Sequence, residues 1–117
     1  MSAERDQRAL EYIRECIDLI EWDVRSDSKA FTDIKRSAAR SIMWSLMTLA
    51  DETTKLSDEL QDRNSKVPWK KIRGFRNFAA HAYEHIRMEV VCAIVQEDLP
   101  PLKTVVETEL AALRRDS

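Results

Sequence analysis

The sequence contains few of the residues that interrupt helices. Its 117 residues include one glycine and three prolines, while 44% of the residues are hydrophobic and 34% are charged. The shortage of turn formers favours helices, and this proportion of apolar residues excludes a disordered chain. A chain of this length is long enough to bury the core of one domain. We therefore expect a single all-α domain that spans residues 1–117.

Export and membrane signals are also missing from the sequence. No apolar run approaches the roughly 20 residues that cross a bilayer, and the first eight residues lack the apolar segment of a signal peptide. Disulfides are rare in proteins that are not exported, so Cys16 and Cys92 are expected to be reduced, buried and inert. The sequence thus predicts a cytoplasmic protein without a membrane partner.

Apolar residues recur at helical spacing in four stretches of the chain. They predict helices over residues 3–24, 29–60 and 69–97, and a last helix that begins at Pro100 and Pro101. The pattern leaves open whether the third of these helices breaks after Tyr83. Short connections between such helices are typical of an up-and-down bundle of four to five helices.

The middle of the second predicted helix, residues 42–50, is apolar almost all the way round. A helix in so small a domain normally keeps one side in water, so this pattern indicates a second buried contact. Met43, Trp44 and Met47 are the candidates for a subunit interface. The alternative is that they pack under a neighbouring loop.

Acidic residues are absent between residues 63 and 83, although the whole chain has a net charge of −2. Six basic residues lie in this segment, so the remaining chain carries −8. They are Arg63, Lys66, Lys70, Lys71, Arg73 and Arg76. A cationic patch on an acidic body is typical of an anion-binding site, and the alternative is a solvated helix face.

The same segment contains a set of side chains that can cleave RNA without a metal: Arg76, Asn77, His81 and Tyr83. A histidine can take the proton of a 2′-hydroxyl group, and an arginine can stabilise the charge that builds up on the phosphoryl oxygens. On a straight helix Asn77 lies one turn before His81, whereas Arg76 is rotated by about 140° from His81. A bend at Gly74, or a second copy of the helix in a dimer, would bring the two groups together. Gly74 itself costs about 1 kcal/mol relative to alanine and is typical of a bend or a close backbone contact.

Two other interpretations of the histidines remain open. His81 and His85 are spaced to bind zinc on one helix face, with Glu89 or Cys92 as a further ligand. Structural zinc sites usually have four such ligands, and no closely spaced cysteine pair is present, so no metal is predicted. Alternatively, His81 is an ordinary hydrogen-bonded residue of the bundle and Arg76 is a surface charge.

The spacing of Arg76, His81 and Tyr83 resembles the R-x4-H-x-Y signature of the HepT-like toxins, a branch of the HEPN domains. Further segments extend the resemblance over most of the chain. Residues 49–57 resemble the Gly-Glu-Ala segment of the family, although Asp51 stands where glutamate is common. Residues 67–77 resemble its Pro-Trp…Gly-Met-Arg-Asn segment, and residues 95–102 its Leu-Pro-x-Leu segment.

This resemblance implies a homodimeric helical bundle and a metal-independent endoribonuclease without a cofactor. It implies Arg76 and His81 as catalytic residues, and we expect Asn77 and Asp51 to support them. It also implies an MNT-type nucleotidyltransferase antitoxin that transfers AMP to Tyr83. We expect Lys70, Lys71 and Arg73 to bind the RNA substrate.

The second hypothesis is a non-catalytic helical module that binds the nucleotidyltransferase or a nucleotide. The overall acidity of the chain fits this hypothesis slightly better, since a nonspecific RNA-binding protein is usually basic throughout.

Overall fold

The computed structural model describes residues 2–82 and 87–116, and for residues 78–82 it describes the backbone alone. The helices are α1 (Ser2–Ser26), α2 (Ser37–Thr53), α3 (Asp58–Arg63), α4 (Trp69–Ala82), α5 (Met88–Ala93) and α6 (Leu99–Asp116). The π-helical segment Ile94–Asp98 joins α5 directly to α6. This part of the chain contains no strand, so the predicted all-α fold is confirmed.

The helices pack around one apolar core. Helix α1 contacts both α2 and α6, and α2 also contacts α4. If α5, the π-helical segment and α6 are taken as one long helix, the bundle has four long helices and the short α3. The fully buried side chains of the core are contributed mainly by α1, α2 and α6, and they include Leu10, Ile13, Ile17, Ile20, Ile42, Met43, Leu49, Leu102 and Val106.

The second helix is shorter than the sequence predicts, because it begins at Ser37 rather than near residue 29 and ends at Thr53 rather than near residue 60. The side chains of Asp27 and Asp33 each accept a hydrogen bond from the backbone N–H two residues ahead, at 2.9 Å. Such contacts stabilise turns in competition with a helix. Phe31 and Ile34 nevertheless pack against the core from these turns. Their helical spacing was therefore a misleading signal.

The third and fourth predicted helices are divided differently from the expectation. Helix α4 ends at Ala82, and Arg87 has an extended backbone before α5, so no single helix covers residues 69–97. The prolines do not start a new helix either, because α6 continues from the π-helical segment. The N–H of Leu99 bonds to the carbonyl of Ile94, five residues back. This wider turn accommodates proline rings, which would clash with the carbonyl four residues back in a regular helix.

Met43 is not available for a subunit interface. Its side chain is 1% exposed and belongs to the core, so this part of the interface prediction is wrong. Met47 is partly buried and packs against the same core. Trp44 is 71% exposed and is the remaining candidate on α2.

Both cysteines are free thiols. Burial, with smaller contributions from the negative charges of Glu15 and Glu52, raises the pKa of the Cys16 thiol to about 11. The thiolate is the reactive form, so this cysteine is inert at neutral pH. Among the described residues, no helix is both long enough and apolar enough to cross a bilayer.

Helix α3 is held in place by polar contacts at both of its ends. The buried carboxylate of Asp6 on α1 accepts hydrogen bonds from the backbone N–H and the hydroxyl of Ser57, both at 2.7 Å. At the other end, Glu109 of α6 accepts hydrogen bonds from Arg63 Nη2 at 2.6 Å and from Asn64 Nδ2 at 2.9 Å. The hydrogen bonds from Arg63, and then that from Asn64, hold the pKa of Glu109 below its usual range.

This depressed pKa predicts an acid-sensitive contribution to stability. A carboxyl with a lowered folded-state pKa stabilises the fold above its unfolded-state pKa, and the contribution is lost as the pH falls through the folded-state value. We expect Glu109→Gln to lower the free energy of unfolding at pH 7 by about 1 kcal/mol. In acid, where the wild-type carboxyl is protonated, the difference should disappear. Thermal unfolding at pH 7 and in acid measures this difference in stability. Glu107→Gln, at an exposed neighbouring position, is the control. An equal loss at both pH values would contradict the role of the charge.

Candidate active site

Helix α4 is oriented by the aromatic residue with which it begins. Trp69 is buried, and its indole Nε1–H lies 3.2 Å from the carbonyl oxygen of Gln61 and 3.0 Å from that of Asn64. Ile72 and Phe75 are buried on the same helix. Because these three apolar side chains face the core, the basic and polar residues between them are turned toward solvent.

Gln61 links α3 to both neighbouring segments. Its side-chain Nε2 donates to the carbonyl of Leu56 at 3.0 Å, and its Oε1 accepts a hydrogen bond from Arg73 Nη1 at 2.7 Å. The half-buried Arg73 is thereby held against α3. Its partner is a neutral amide, so the contact directs the side chain without neutralising its charge.

Arg76 and Asp51 meet between α4 and the end of α2. Arg76 Nη1 lies 2.9 Å from Asp51 Oδ1, and the two side chains are 60% and 47% exposed. An ion pair in this environment contributes little to stability, typically below about 1 kcal/mol. It does restrict the arginine side chain, which nevertheless stays largely exposed. The structure thus brings together the arginine that was predicted to be catalytic and the carboxylate that was predicted to support it.

Three of the six basic residues in the segment are paired with carboxylates from other elements. Besides the pair of Arg76 with Asp51, Arg63 pairs with Glu109 of α6. Lys71 Nζ lies 3.0 Å from the buried carboxylate of Asp98, in the π-helical segment. The positive charge that the sequence shows is therefore partly neutralised. In particular, Arg63 is not a free cation for an anionic ligand.

The remaining three basic residues are Lys66, Lys70 and Arg73. Lys66 and Lys70 are exposed, and neither forms an ion pair within the described part of the chain. An open groove of about 730 Å³ lies at the junction of α3 and α4, and its lining includes Asp62, Ser65, Pro68, Lys70, Lys71 and Arg73. The first turn of α4 forms one wall, and the positive end of a helix dipole favours anions. Asp62 is the one acidic residue in this lining.

The other predicted site residues lie at the end of α4 or beyond it. Asn77 is exposed, one turn before His81. The backbone of His81 belongs to α4, whereas its side chain and all of Tyr83 lie outside the described residues. The structure therefore describes the Arg76 half of the motif, and the position of the histidine side chain stays a prediction.

The zinc interpretation depends on residues that are largely outside this description. No group of three or more His, Cys, Asp or Glu side chains that could hold a metal occurs among the described residues. The side chains of His81 and His85 are not among them. Glu89, the proposed carboxylate ligand, pairs with Arg87 at 3.1 Å.

Sequence reasoning missed the residues that position this site. They are Gln61, Asn64 and Asp98. Each of them contacts a residue that lies between 5 and 45 positions away in the sequence. Nothing in their local pattern distinguishes them from ordinary surface residues. Trp69 itself is the one local signal, because a buried indole N–H needs an acceptor and here finds it in the backbone carbonyls of residues 61 and 64.

Comparison with known proteins gives a consistent result. Residues 8–109 match the family described as ribonuclease HepT-like. The chain is 30% identical over 101 residues to Putative RNase TTE0752 of Caldanaerobacter subterraneus subsp. tengcongensis, covering 84% of this chain and 88% of that protein. It is 27% identical over 107 residues to Putative RNase MJ1380 of Methanocaldococcus jannaschii, covering 90% of this chain and 97% of that protein. No solved structure is significantly similar to the chain.

Proposed function

Because this chain belongs to the ribonuclease HepT-like family, we propose that it is a metal-independent endoribonuclease, the toxin subunit of a HEPN/MNT toxin–antitoxin system. Ribonuclease activity is supported at the family level by the family description and by the names of both relatives. The observation that carries the finer proposal is the exposed side chain of Arg76, which lies on the same helix as His81 and is held by Asp51 of α2.

The proposed reaction needs a base, an acid and a cation at the phosphate. One histidine takes the proton from the 2′-hydroxyl group, and the 2′-oxygen attacks the adjacent phosphorus. The bond from phosphorus to the 5′-oxygen breaks, and this oxygen leaves with a proton from a second acid. Arg76 stabilises the charge on the phosphoryl oxygens. The products are a 2′,3′-cyclic phosphate and a 5′-hydroxyl end. No step requires a metal.

A homodimer would supply the second histidine. Helical geometry separates Arg76 and His81 by about 140° around one helix, so residues from two copies form a complete set more readily than residues from one. The exposed Trp44 supports this assembly, because a large aromatic side chain on the surface is a common anchor of protein interfaces. A two-fold axis would place the two copies of Arg76 and His81 symmetrically about one shared site.

The proposed control of this enzyme is covalent modification of Tyr83 by a nucleotidyltransferase antitoxin. The phenolic oxygen attacks the α-phosphorus of ATP, pyrophosphate leaves, and the phenolic proton passes to a base of the transferase. The product carries an anion two residues beyond His81. This anion would compete with RNA for Arg76 and would repel the substrate.

The competing function is a non-catalytic module that binds the nucleotidyltransferase or a nucleotide. It is favoured by the net charge of −2 and by the pairing of three basic residues with carboxylates. The two functions differ in whether the purified chain cleaves RNA at all.

Catalysis is tested by Arg76→Ala and His81→Ala. Each change should reduce RNA cleavage by about 10²–10⁴-fold, because the first removes charge stabilisation and the second removes proton transfer. The melting temperature should stay nearly unchanged for Arg76→Ala, since its ion pair is exposed. Arg40→Ala, at another exposed arginine, is the control.

In the same assay, cleavage should persist in EDTA and leave 2′,3′-cyclic phosphate ends. Activity that is lost in EDTA and restored by zinc would favour the metal site at His81 and His85 instead. Absence of cleavage by the wild-type chain would favour the binding module.

The assembly is tested by Trp44→Glu. A charge in the middle of a dimer contact should shift the protein from dimer to monomer in sedimentation at micromolar concentration. Trp22→Glu is the control, because Trp22 is a similarly exposed tryptophan on α1, at 63%. A wild-type monomer would contradict the dimer, and dissociation by the Trp22 change alone would assign the contact to α1.

The modification is tested with the nucleotidyltransferase partner and ATP. Intact mass should increase by whole AMP units, and peptide mapping should assign them to Tyr83. Tyr83→Phe should cleave RNA and resist silencing, whereas Tyr12→Phe, at the other tyrosine, should be silenced like the wild type. If the partner inhibits the enzyme and leaves Tyr83 unmodified, inhibition is by binding alone.

A further inference from the structure

Nothing in the described part of the chain explains why residue 74 is a glycine. It lies in the middle of α4 and is exposed, with no positive φ angle. A Cβ atom added at this position would meet no described atom within 4 Å. Neither the backbone conformation nor packing against the described residues therefore requires a glycine, although glycine destabilises the interior of a helix. Such a residue is typical of a place where another molecule approaches the backbone closely.

The residues around Gly74 specify the chemistry of that molecule. Lys70 and Lys71 precede it by about one helical turn, and Asn77 follows it by three residues, so all three neighbour it on the helix surface. All three are exposed. Lys70 forms no ion pair with any described residue. The surface around the glycine thus offers the cation of Lys70 and the amide of Asn77, whereas the charge of Lys71 is paired with Asp98 at 3.0 Å.

A second copy of the chain fits this surface poorly. A two-fold contact through Gly74 would bring Lys70 of one copy, which has no ion-pair partner among the described residues, close to Lys70 of the other. Like charges in a contact are unfavourable unless carboxylates separate them. A polyanion has no such conflict, because its phosphates pair with the lysines. Its backbone can also approach the helix closely where Gly74 has no side chain.

We propose that the RNA backbone lies directly against α4 at Gly74, on the side of the helix that carries Lys70 and Asn77, and continues into the groove at the α3–α4 junction. Lys70 and Arg73 contact phosphates outside the scissile bond. The hydrogen bond from Arg73 to Gln61 directs that cation into the groove. This inference rests on the proposed ribonuclease function and adds a substrate requirement to it, namely several nucleotides on one side of the cleaved bond.

The test compares Gly74→Ala and Gly74→Gln on two substrates. A long single-stranded RNA occupies the groove, whereas a dinucleoside monophosphate has only the scissile phosphate. We expect both variants to bind and cleave the long RNA severalfold less well, with the larger loss for glutamine, and to cleave the dinucleotide like the wild type. Gly74→Ala should also raise the melting temperature by roughly 4 °C, because alanine is the better helix former. Ser41→Gln, at an exposed position of α2, is the control.

Binding of a 2′-O-methyl RNA, which cannot be cleaved, separates this inference from the proposed function. Lys70→Gln should reduce the slope of log affinity against log salt by about 0.7, the value for one phosphate contact on a single strand. If the wild type cleaves neither substrate and the variants still weaken binding of the 2′-O-methyl RNA, the proposed catalysis fails and the backbone contact stands.

Three results would overturn the contact at Gly74. The first is unchanged binding and cleavage of long RNA by Gly74→Gln. The second is a change of oligomeric state in that variant, which would assign the surface to a second copy. The third is a loss of nucleotidyltransferase binding with RNA binding intact, which would assign it to the protein partner.

Discussion

The arrangement of the site depends on hydrogen bonds around Gln61. Its backbone carbonyl and that of Asn64 accept the buried indole N–H of Trp69, while its side chain bonds to the carbonyl of Leu56 and to Arg73. One short helix thereby joins the end of α2 to the start of α4. An unpaired indole N–H or amide in this setting would cost the free energy of its desolvation, so the contacts act together. They set the rotation of α4 and hence the surface that its basic residues present.

The charges of the basic segment acquire distinct roles only in three dimensions. Arg63 and Lys71 connect α3 and α4 to the last long helix through Glu109 and Asp98, so their charges serve the fold as well as any ligand. Arg76 is paired at the surface, where solvent weakens the attraction of Asp51 and a phosphate can compete for the guanidinium group. The composition of the segment could not separate these roles, because each partner is distant in sequence.

The start of α4 and its buried stripe could be predicted, because proline precedes Trp69 and the spacing of Ile72 and Phe75 is helical. The start of α2 could not, since Phe31 and Ile34 contact the core from turns that retain a helix-like spacing. The sequence also did not predict that the π-helical segment continues directly into α6, because local propensity predicts that a helix ends before the prolines. For the site, the motif spacing located Arg76, whereas its contact with Asp51 depends on the packing of α2 against α4.

The exposed side of α4 contributes less to stability than its sequence position would allow. At Gly74 the Cβ atom of an alanine would meet no described atom within 4 Å. The neighbouring Lys70 has no carboxylate partner among the described residues, unlike Lys71. Under selection for stability alone, the helix would be more stable with alanine in place of Gly74 and with a carboxylate partner for Lys70. The buried side has the opposite character, since Trp69, Ile72 and Phe75 are each at most 7% exposed and the indole is hydrogen-bonded. The two sides of one helix are therefore under different constraints: packing decides the inner side, whereas packing within the described chain does not account for the glycine on the outer side.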